Sequence, residues 1–441
     1  MNKSSRAVYI VDGSRSPQLK ARGKQGPFSA SDLAVQAGRP LLMRHPDVLN
    51  NLDEVILGCM MPSPDEANIG RVVALRLGVP QRTPAWTVQR NCASALQAID
   101  SAFHNIANND SDLVLAGGVE AMSRAPILHN AEMVDWLSGL MQARSPMQKI
   151  SQVLKLRGRH LKPVIALIRG LTDPIVGLNM GQTAENIAHR FGITREQMDA
   201  FAVASHQRLA HAHDAGYLDE IEVLYDAKGN YYDHDDGVRR DSSIEGLAKL
   251  RPAFDRKYGS VTAGNSAQIT DGASWLLLAS ESAVKKHQLS PIAKIIDTQW
   301  AGLDPSIMGM GPVHAMTPIM QRHGLSIEDI DYWEINEAFA TQVLGCVEAW
   351  KEDNYCWTHF DMDKAFGEIP HDRLNIDGGG VSLGHPVGAS GARIVLHLAK
   401  VLQRTNAKRG MASLCIGGGQ GGALLMERVD QIDGQHTGDT E

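Results

Sequence analysis

No long apolar run occurs anywhere in the chain. A membrane-crossing helix needs about 18 such residues in succession, and the apolar run Ala7–Val11 is far too short for the core of a signal peptide. Paired cysteines are missing as well. The five present, Cys59, Cys92, Cys346, Cys356 and Cys415, are odd in number, scattered and without C-x-x-C spacing, which argues against a disulfide framework and against a zinc site. A reducing, cytoplasmic setting and no bound metal are the expectations. Nor is there an excess of positive charge: with a net charge of -7 the chain has no general electrostatic reason to bind nucleic acid.

What is present is an ordinary globular composition. At 441 residues and 43% hydrophobic, the chain can bury a large core in two or three domains. Its grammar is α/β. AVYIVDG, EVILGCMM, DLVLAGG, WLLLAS and MASLCIGGG are short, aliphatic and end in glycine or polar residues, whereas SALQAIDSAFHNIAN and ARIVLHLAKVLQ carry apolar residues at helical spacing. One sequence of elements recurs. A polar loop, a helix over about 93–108 and the run DLVLAGG are echoed by a Gly-rich loop, a helix over about 389–404 and MASLCIGGG, as a duplication of one unit would give. Between roughly Glu120 and Leu250 the pattern is interrupted by helical segments and the turn-rich tract YDAKGNYYDHDDGVRRDSS, which reads as an inserted domain. The tail QIDGQHTGDTE is too polar to pack and is expected to be disordered.

In NCASAL, Cys92 stands where the strand-like TPAWTVQ turns into a helix. A lone intracellular cysteine is most often just buried. At this junction, however, the first helical N–H groups and the positive end of the helix dipole would face its sulfur and favour thiolate. In SLGHPVG, His385 sits between glycine and proline at the end of an apolar strand, where its ring can enter a cleft or simply be oriented in a core. In SLCIGGGQGG, Cys415 ends a strand and is followed by glycines that leave backbone N–H groups open to a substrate. Gly417, Gly419 and Gly422 also satisfy G-x-G-x-x-G, but ALLMER after them reads as a strand and too little chain remains for a dinucleotide fold.

NCASA with Cys92, NEAFA with Asn336, GHPVGASGAR with His385 and CIGGGQG with Cys415 together resemble the thiolase family, over nearly the whole chain. The resemblance implies an α/β thiolase fold, two similar βαβαβαββ halves in a five-layered αβαβα arrangement with an inserted loop domain. The corresponding boundaries are a first half 1–121 completed by 251–285, an inserted domain 122–250, a second half 286–429 and a tail 430–441. The implied reaction is cleavage of a 3-ketoacyl-CoA by coenzyme A as co-substrate, with no prosthetic group, or the reverse condensation. It implies Cys92 as the acylated nucleophile, His385 as its base, Cys415 as the acid or base at the acetyl carbon, the N–H groups of Cys92 and Gly417 as donors to the acyl oxyanion, and His385 with a water held by Asn336 as donors to the enolate. Glu337 would support the histidine or merely cap its own helix. Met180, Arg239, Leu250, Phe254, Ala263, Ala338 and Phe339 would line the CoA site.

Two departures favour longer acyl chains: Asn179 stands where short-chain members carry a histidine, and Ala267 where a serine is common. Homodimers or homotetramers are the family's usual assemblies. The segment Val134–Leu178 has seven basic residues (Arg144, Lys149, Lys155, Arg157, Arg159, Lys162, Arg169) against two acidic (Asp135, Asp173), about +5 in net charge. Such a basic amphipathic stretch suits an anionic membrane surface or a hydratase/dehydrogenase subunit, as in long-chain β-oxidation complexes, or a roof over the acyl tunnel. The stretch 350–374 has no functional account from sequence, and Cys59, Cys346 and Cys356 read as structural.

Overall fold

The aliphatic runs become strands buried on both faces. In the computed structural model, which describes residues 6–429, the first half contains β1 (Val8–Arg15), β2 (Glu54–Gly58), β3 (Ala85–Val88), β4 (Leu113–Ala121) and β5 (Thr270–Ser280). The second contains β6 (Ala293–Gly302), β7 (Tyr332–Ile335), β8 (Arg409–Ile416) and β9 (Gln420–Arg428). The tail 430–441, expected to be disordered, lies outside the described residues.

The strand order is β3-β2-β4-β5-β1 in one half and β7-β8-β9-β6 in the other. Pairing senses match term by term. β2 is parallel to β4 as β7 is to β8, β4 is antiparallel to β5 as β8 is to β9, and β5 is antiparallel to β1 as β9 is to β6. Where the first half has β3, parallel to β2, the second has a single parallel bridge from Trp333 to Leu374. The two sheets touch edge to edge through Val8–Ile10 and Ala293–Ile295.

The helices that matter for the site are α1 (Ala30–Arg44), α2 (Ile69–Leu77), α3 (Ser94–Ala107), α4 (Met180–Phe191), α5 (Arg195–Asp214), α6 (Gly311–His323), α7 (Ala340–Lys351) and α8 (Ser390–Thr405). Three apolar cores separate five layers. Leu33 and Leu41 of α1 and Val73 of α2 meet Leu115 and Trp275 on the outer face of the first sheet. α3 and α8 fill the space between the sheets, and α6 and α7 cover the outer face of the second. Strand periodicity produces this division, because alternate side chains point to opposite faces. β4 sends Leu113, Leu115 and Val119 outward and Val114 and Ala116 inward. β8 sends Met411 and Cys415 outward and Ala412, Leu414 and Ile416 inward. The central helices approach closely because the contact residues are small: a Cβ on Gly391 of α8 would lie 2.5 Å from the backbone nitrogen of Leu96 of α3.

The halves differ most in what joins their last two strands. β8 and β9 are linked by Gly417, Gly418 and Gly419, the last two at φ +93° and +74°, which glycine adopts without strain. Between β4 and β5 the chain instead makes a long excursion, 122–269. Within it α4 and α5 join the outer core of the second half, through Ala184, Ile187 and Met198. Residues 122–178 form short helices, Ala131–Gln142 and Pro146–Val153, enclosed by an antiparallel pairing of Ile127–Leu128 with Val164–Ile165. The stretch 350–374 is a packed aromatic cap. Its helix Asp353–Phe360 sets Tyr355 and Phe360 against His314 of α6, and Phe366 stacks on Trp350 at 5.0 Å. No helix among the described residues is long and apolar enough to cross a membrane.

Candidate active site

The site residues stand at the carboxyl ends of parallel strands, where open α/β sheets generally receive ligands. Cys59 follows β2, Glu120 is near the end of β4, Cys92 lies between β3 and α3, Asn336 follows β7, and Cys415 is near the end of β8.

Entry into α3 is abrupt. Asn91 takes the left-handed conformation at φ +44°, which asparagine tolerates better than most residues. Its side-chain amide donates to the Gly417 carbonyl at 2.8 Å. This bond draws the NCASA loop and the glycine turn after β8 together, although they are remote in sequence. Cys92 is partly accessible, and its sulfur receives the N–H groups of Gly417 and of Cys92 itself. Those donors favour thiolate, but desolvation outweighs them and the pKa of Cys92 is raised. The expectation that the helix terminus would favour thiolate is therefore corrected: burial outweighs the N–H donors, and Cys92 rests as a thiol. Cys415 is fully buried. Burial, and then the charge that Cys92 would carry, push its thiol well above the ordinary value.

His385 does not end a strand, as the sequence suggested. It follows one helical turn, Gly380–Leu383, and Gly384 at φ +106°; the glycines of this stretch close the backbone before a strand can extend. Its backbone N–H donates to the Gln268 carbonyl at 3.1 Å. The imidazole Nδ1 is 2.6 Å from Ser390 Oγ, which donates to the Pro386 carbonyl at 3.1 Å. Ser390 Oγ, its one proton committed to that carbonyl, must then accept from Nδ1–H, and Nε2 retains the lone pair. Burial, followed by the nearby positive charge of Arg393, brings the pKa of His385 down to about 3. The ring is neutral at pH 7, with Nε2 unprotonated.

Asn336 is 1% exposed. Its backbone N–H donates to Ser413 O on β8 at 2.9 Å, and its amide nitrogen lies 3.4 and 3.5 Å from the two ring nitrogens of His385. Glu337 neither touches His385 nor caps its own helix. Its carboxylate accepts from Ser205 Oγ at 2.7 Å, Asn375 Nδ2 at 2.8 Å and the Val381 N–H at 3.1 Å. It thus ties down the turn that carries His385 from several residues away, and burial raises its pKa.

The residues expected around CoA divide into groups. Met180 begins α4, and its sulfur would lie 3.4 Å from a Cβ on Gly417. Phe254 packs edge-on against Phe339 at 5.9 Å between ring centres. Ala338 and Phe339 are nearly buried, and the Ala338 carbonyl accepts from the N–H of Ala267 at 2.9 Å. Leu250 packs by Gly264, and Ala263 is exposed. Arg239 makes its described contacts elsewhere, its N–H donating to His206 Nδ1 at 3.1 Å. Asn179 caps α4, its side chain accepting from the Gln182 N–H at 3.0 Å while Gln182 returns the bond. Among the described residues no three His, Cys, Asp or Glu side chains are grouped as a metal requires.

Four neighbours of the site are not singled out by sequence: Asn91, Glu120, Ser390 and Arg393. Glu120 accepts from the N–H groups of Met60 and Met61 at 2.9 and 3.0 Å and of Gly388, and burial pushes its pKa up to about 7. It faces both Cys92 and the loop three residues past His385. Ser390 and Arg393 did carry a signal, since GASGAR places them one helical turn apart just after His385.

A five-layered αβαβα architecture with paired thiols, an imidazole and an asparagine at the strand ends defines a thiolase-type acyltransferase. The chain matches the model of the thiolase N-terminal domain over residues 8–282 and that of the thiolase C-terminal domain over 289–428. It belongs to the thiolase family. It is 38% identical to the mitochondrial 3-ketoacyl-CoA thiolase of Mus musculus over 429 residues, 96% of this chain and 99% of that protein. To the acetyl-CoA acetyltransferase of Allochromatium vinosum it is 37% identical over 432 residues, again 96% of this chain and 99% of that one. The crystal structure of human mitochondrial 3-ketoacyl-CoA thiolase in complex with CoA superposes with a TM-score of 0.81 at 35% identity, covering 96% of this chain and 98% of that one.

Proposed function

We propose that this protein is a degradative 3-ketoacyl-CoA thiolase, cleaving 3-ketoacyl-CoA with coenzyme A to acetyl-CoA and a shortened acyl-CoA in fatty-acid β-oxidation. The observation that carries the reading is the setting of Cys92: its sulfur lies against the N–H groups of Gly417 and Cys92, with the Cys415 thiol in electrostatic reach. Cys92 starts neutral and must lose its proton to attack, and His385, with a free Nε2, is the base that takes it. The thiolate then adds to the substrate ketone and becomes acylated, dividing one carbon–carbon cleavage into two transfers. The Gly417 and Cys92 N–H groups stabilise the oxyanion on the acyl group, each such donor being worth about 3 kcal/mol. Cys415, kept a thiol by burial, protonates the departing acetyl-CoA carbon. Charge on the acetyl-CoA enolate oxygen is met by His385 and a water held by Asn336, whose amide nitrogen lies beside the His385 ring. Met180, Phe254, Ala338 and Phe339 are the apolar side of the pantetheine path, with Leu250, Ala263 and Arg239 farther out.

The alternative within the family is a short-chain acetoacetyl-CoA thiolase of the same mechanism. Asn179 and Ala267 in place of the histidine and serine support the longer-chain reading. A lipid-binding protein without catalysis is disfavoured because Cys92, His385, Cys415 and NEAFA are all retained. The ratio of thiolysis rates on a long-chain 3-ketoacyl-CoA and on acetoacetyl-CoA tests substrate class; a strong preference for acetoacetyl-CoA would overturn it. Trapping the acyl-enzyme and finding the label anywhere but Cys92 would overturn the mechanism.

We further infer a homodimeric or homotetrameric assembly in the cytoplasm, where the five free cysteines would stay reduced. Segment 134–178 supports a docking role. Met147, Ile150 and Leu154 form an apolar stripe along one helical face, exposed by 79%, 59% and 69%, beside Lys149 and Lys155. An anionic membrane surface, or a hydratase/dehydrogenase subunit with an acidic face, complements that combination.

A further inference from the structure

The two ends of an asparagine amide have nearly the same shape and opposite chemistry, so something must decide which end faces the substrate. Around Asn336 that decision falls to one side chain. Its Oδ1 lies 3.5 Å from Arg393 Nη2, while its Nδ2 lies near the His385 ring. Guanidinium has only donors, so an amide turned the other way would set NH2 against N–H. Arg393 is itself held by Glu334, whose Oε2 accepts from Nη1 at 3.1 Å. Glu334 and Asn336 are two residues apart, flanking one position at the end of β7, and both reach the same guanidinium. All three residues are at most 2% exposed. A buried ion pair of this kind is seldom a net source of stability, and conformational specificity is its best-attested use.

We propose that Arg393 is a positioning residue that fixes the Asn336 amide with its NH2 end toward His385 and the enolate site and its oxygen away from it. The proposal rests on the reading of Cys92, His385 and Cys415 as the reaction centre. One turn of α8 then orients both groups at the enolate: Ser390 holds the His385 ring at 2.6 Å, and Arg393, three residues on, holds the amide. With the amide reversed, a carbonyl oxygen would face the position where negative charge builds. Only the step that forms or consumes the enolate needs this orientation; acyl transfer at Cys92 uses the Gly417 and Cys92 N–H groups instead.

The two steps are measured separately in full-length Arg393→Met: acylation of Cys92 by acetyl-CoA through the protein's mass, and enolate chemistry through deuterium exchange into the acetyl-CoA methyl group in D2O. Exchange and carbon–carbon cleavage should fall by about 100-fold, with acylation changed by less than about 3-fold. Arg393→Lys, which still presents only donors, should keep at least about a tenth of the exchange rate. If the effect runs through the amide, Asn336→Ala/Arg393→Met exchanges no more slowly than Asn336→Ala alone. Should the single variant not fold, the charge-neutral pair Glu334→Gln/Arg393→Met gives the same readout. Equal losses in acylation and exchange, or independent multiplication in the double variant, would overturn the proposal. Failure of wild-type Cys92 to become acylated would instead sink the functional reading beneath it.

Discussion

Replacing His397 with glutamine should remove most of the alkaline sensitivity of this fold. His397 lies on α8, 3% exposed, with Nδ1 3.1 Å from Glu220 and Nε2 3.0 Å from Asp377. Glu220 also pairs with Arg15 at 3.1 Å, Arg15 with Asp235 at 2.7 Å, and Asp377 with Arg404 at 2.6 Å. This buried cluster joins β1 of the first half, the excursion after β4, and the second half. Burial opposes the charge on His397, but Glu220 and Asp377 override it and push the pKa up to about 10. The native state therefore keeps a proton that the unfolded chain releases near pH 6.5. Stability from this source is full below that pH and is lost as pH rises through the folded value. From pH 7 to 9.5 the loss is about 3 kcal/mol, at about 1.4 kcal/mol per pH unit. The buried cysteines, raised by desolvation, act in the same direction at the upper end. Urea unfolding of both proteins at pH 7, 8 and 9.5 is the assay. Wild type should lose stability steadily, while the variant should start about 3 kcal/mol lower, with two carboxylates short of a partner, and show a much flatter slope. A wild-type stability that stays level to pH 9.5, or a variant with an unchanged slope, would refute the reasoning.

Cys415→Ala should still be acylated at Cys92 by an acyl-CoA while carbon–carbon cleavage falls at least about 100-fold, read by mass spectrometry and by thiolysis rate. Gly379→Ala should cost about 1–3 kcal/mol in urea unfolding and lower activity, because a Cβ there would lie 2.5 Å from the Glu337 carboxyl carbon and push on the turn carrying His385. Arg157→Ala/Arg159→Ala should weaken co-sedimentation with anionic phospholipid vesicles at unchanged thiolysis rate; equal sedimentation of both proteins, with and without the vesicles, would remove the membrane contact.

The sequence by itself determined the family, the alternation of strand and helix, and the repeated unit, because these rest on local periodicity and contiguous motifs. The recurrence of helix and strand around DLVLAGG and MASLCIGGG becomes identical strand pairing in two sheets. It also picked out both thiols, the histidine and the asparagine, since each sits in a short stretch whose neighbours are unusual. Tertiary structure alone decided the electrostatics and the supports. Whether Cys92 rests as thiol or thiolate is a contest between desolvation and a few N–H groups, and only burial settles it. Glu337 was expected to support the histidine or to cap its own helix, but only the fold shows which groups it holds: its oxygens go to Ser205, Asn375 and Val381, residues up to 132 positions away, and so steady the turn that carries His385. Glu120 was invisible for the same reason: a charge looks solvated in one dimension, and becomes an organising group only when folding strips its water and leaves a few fixed partners.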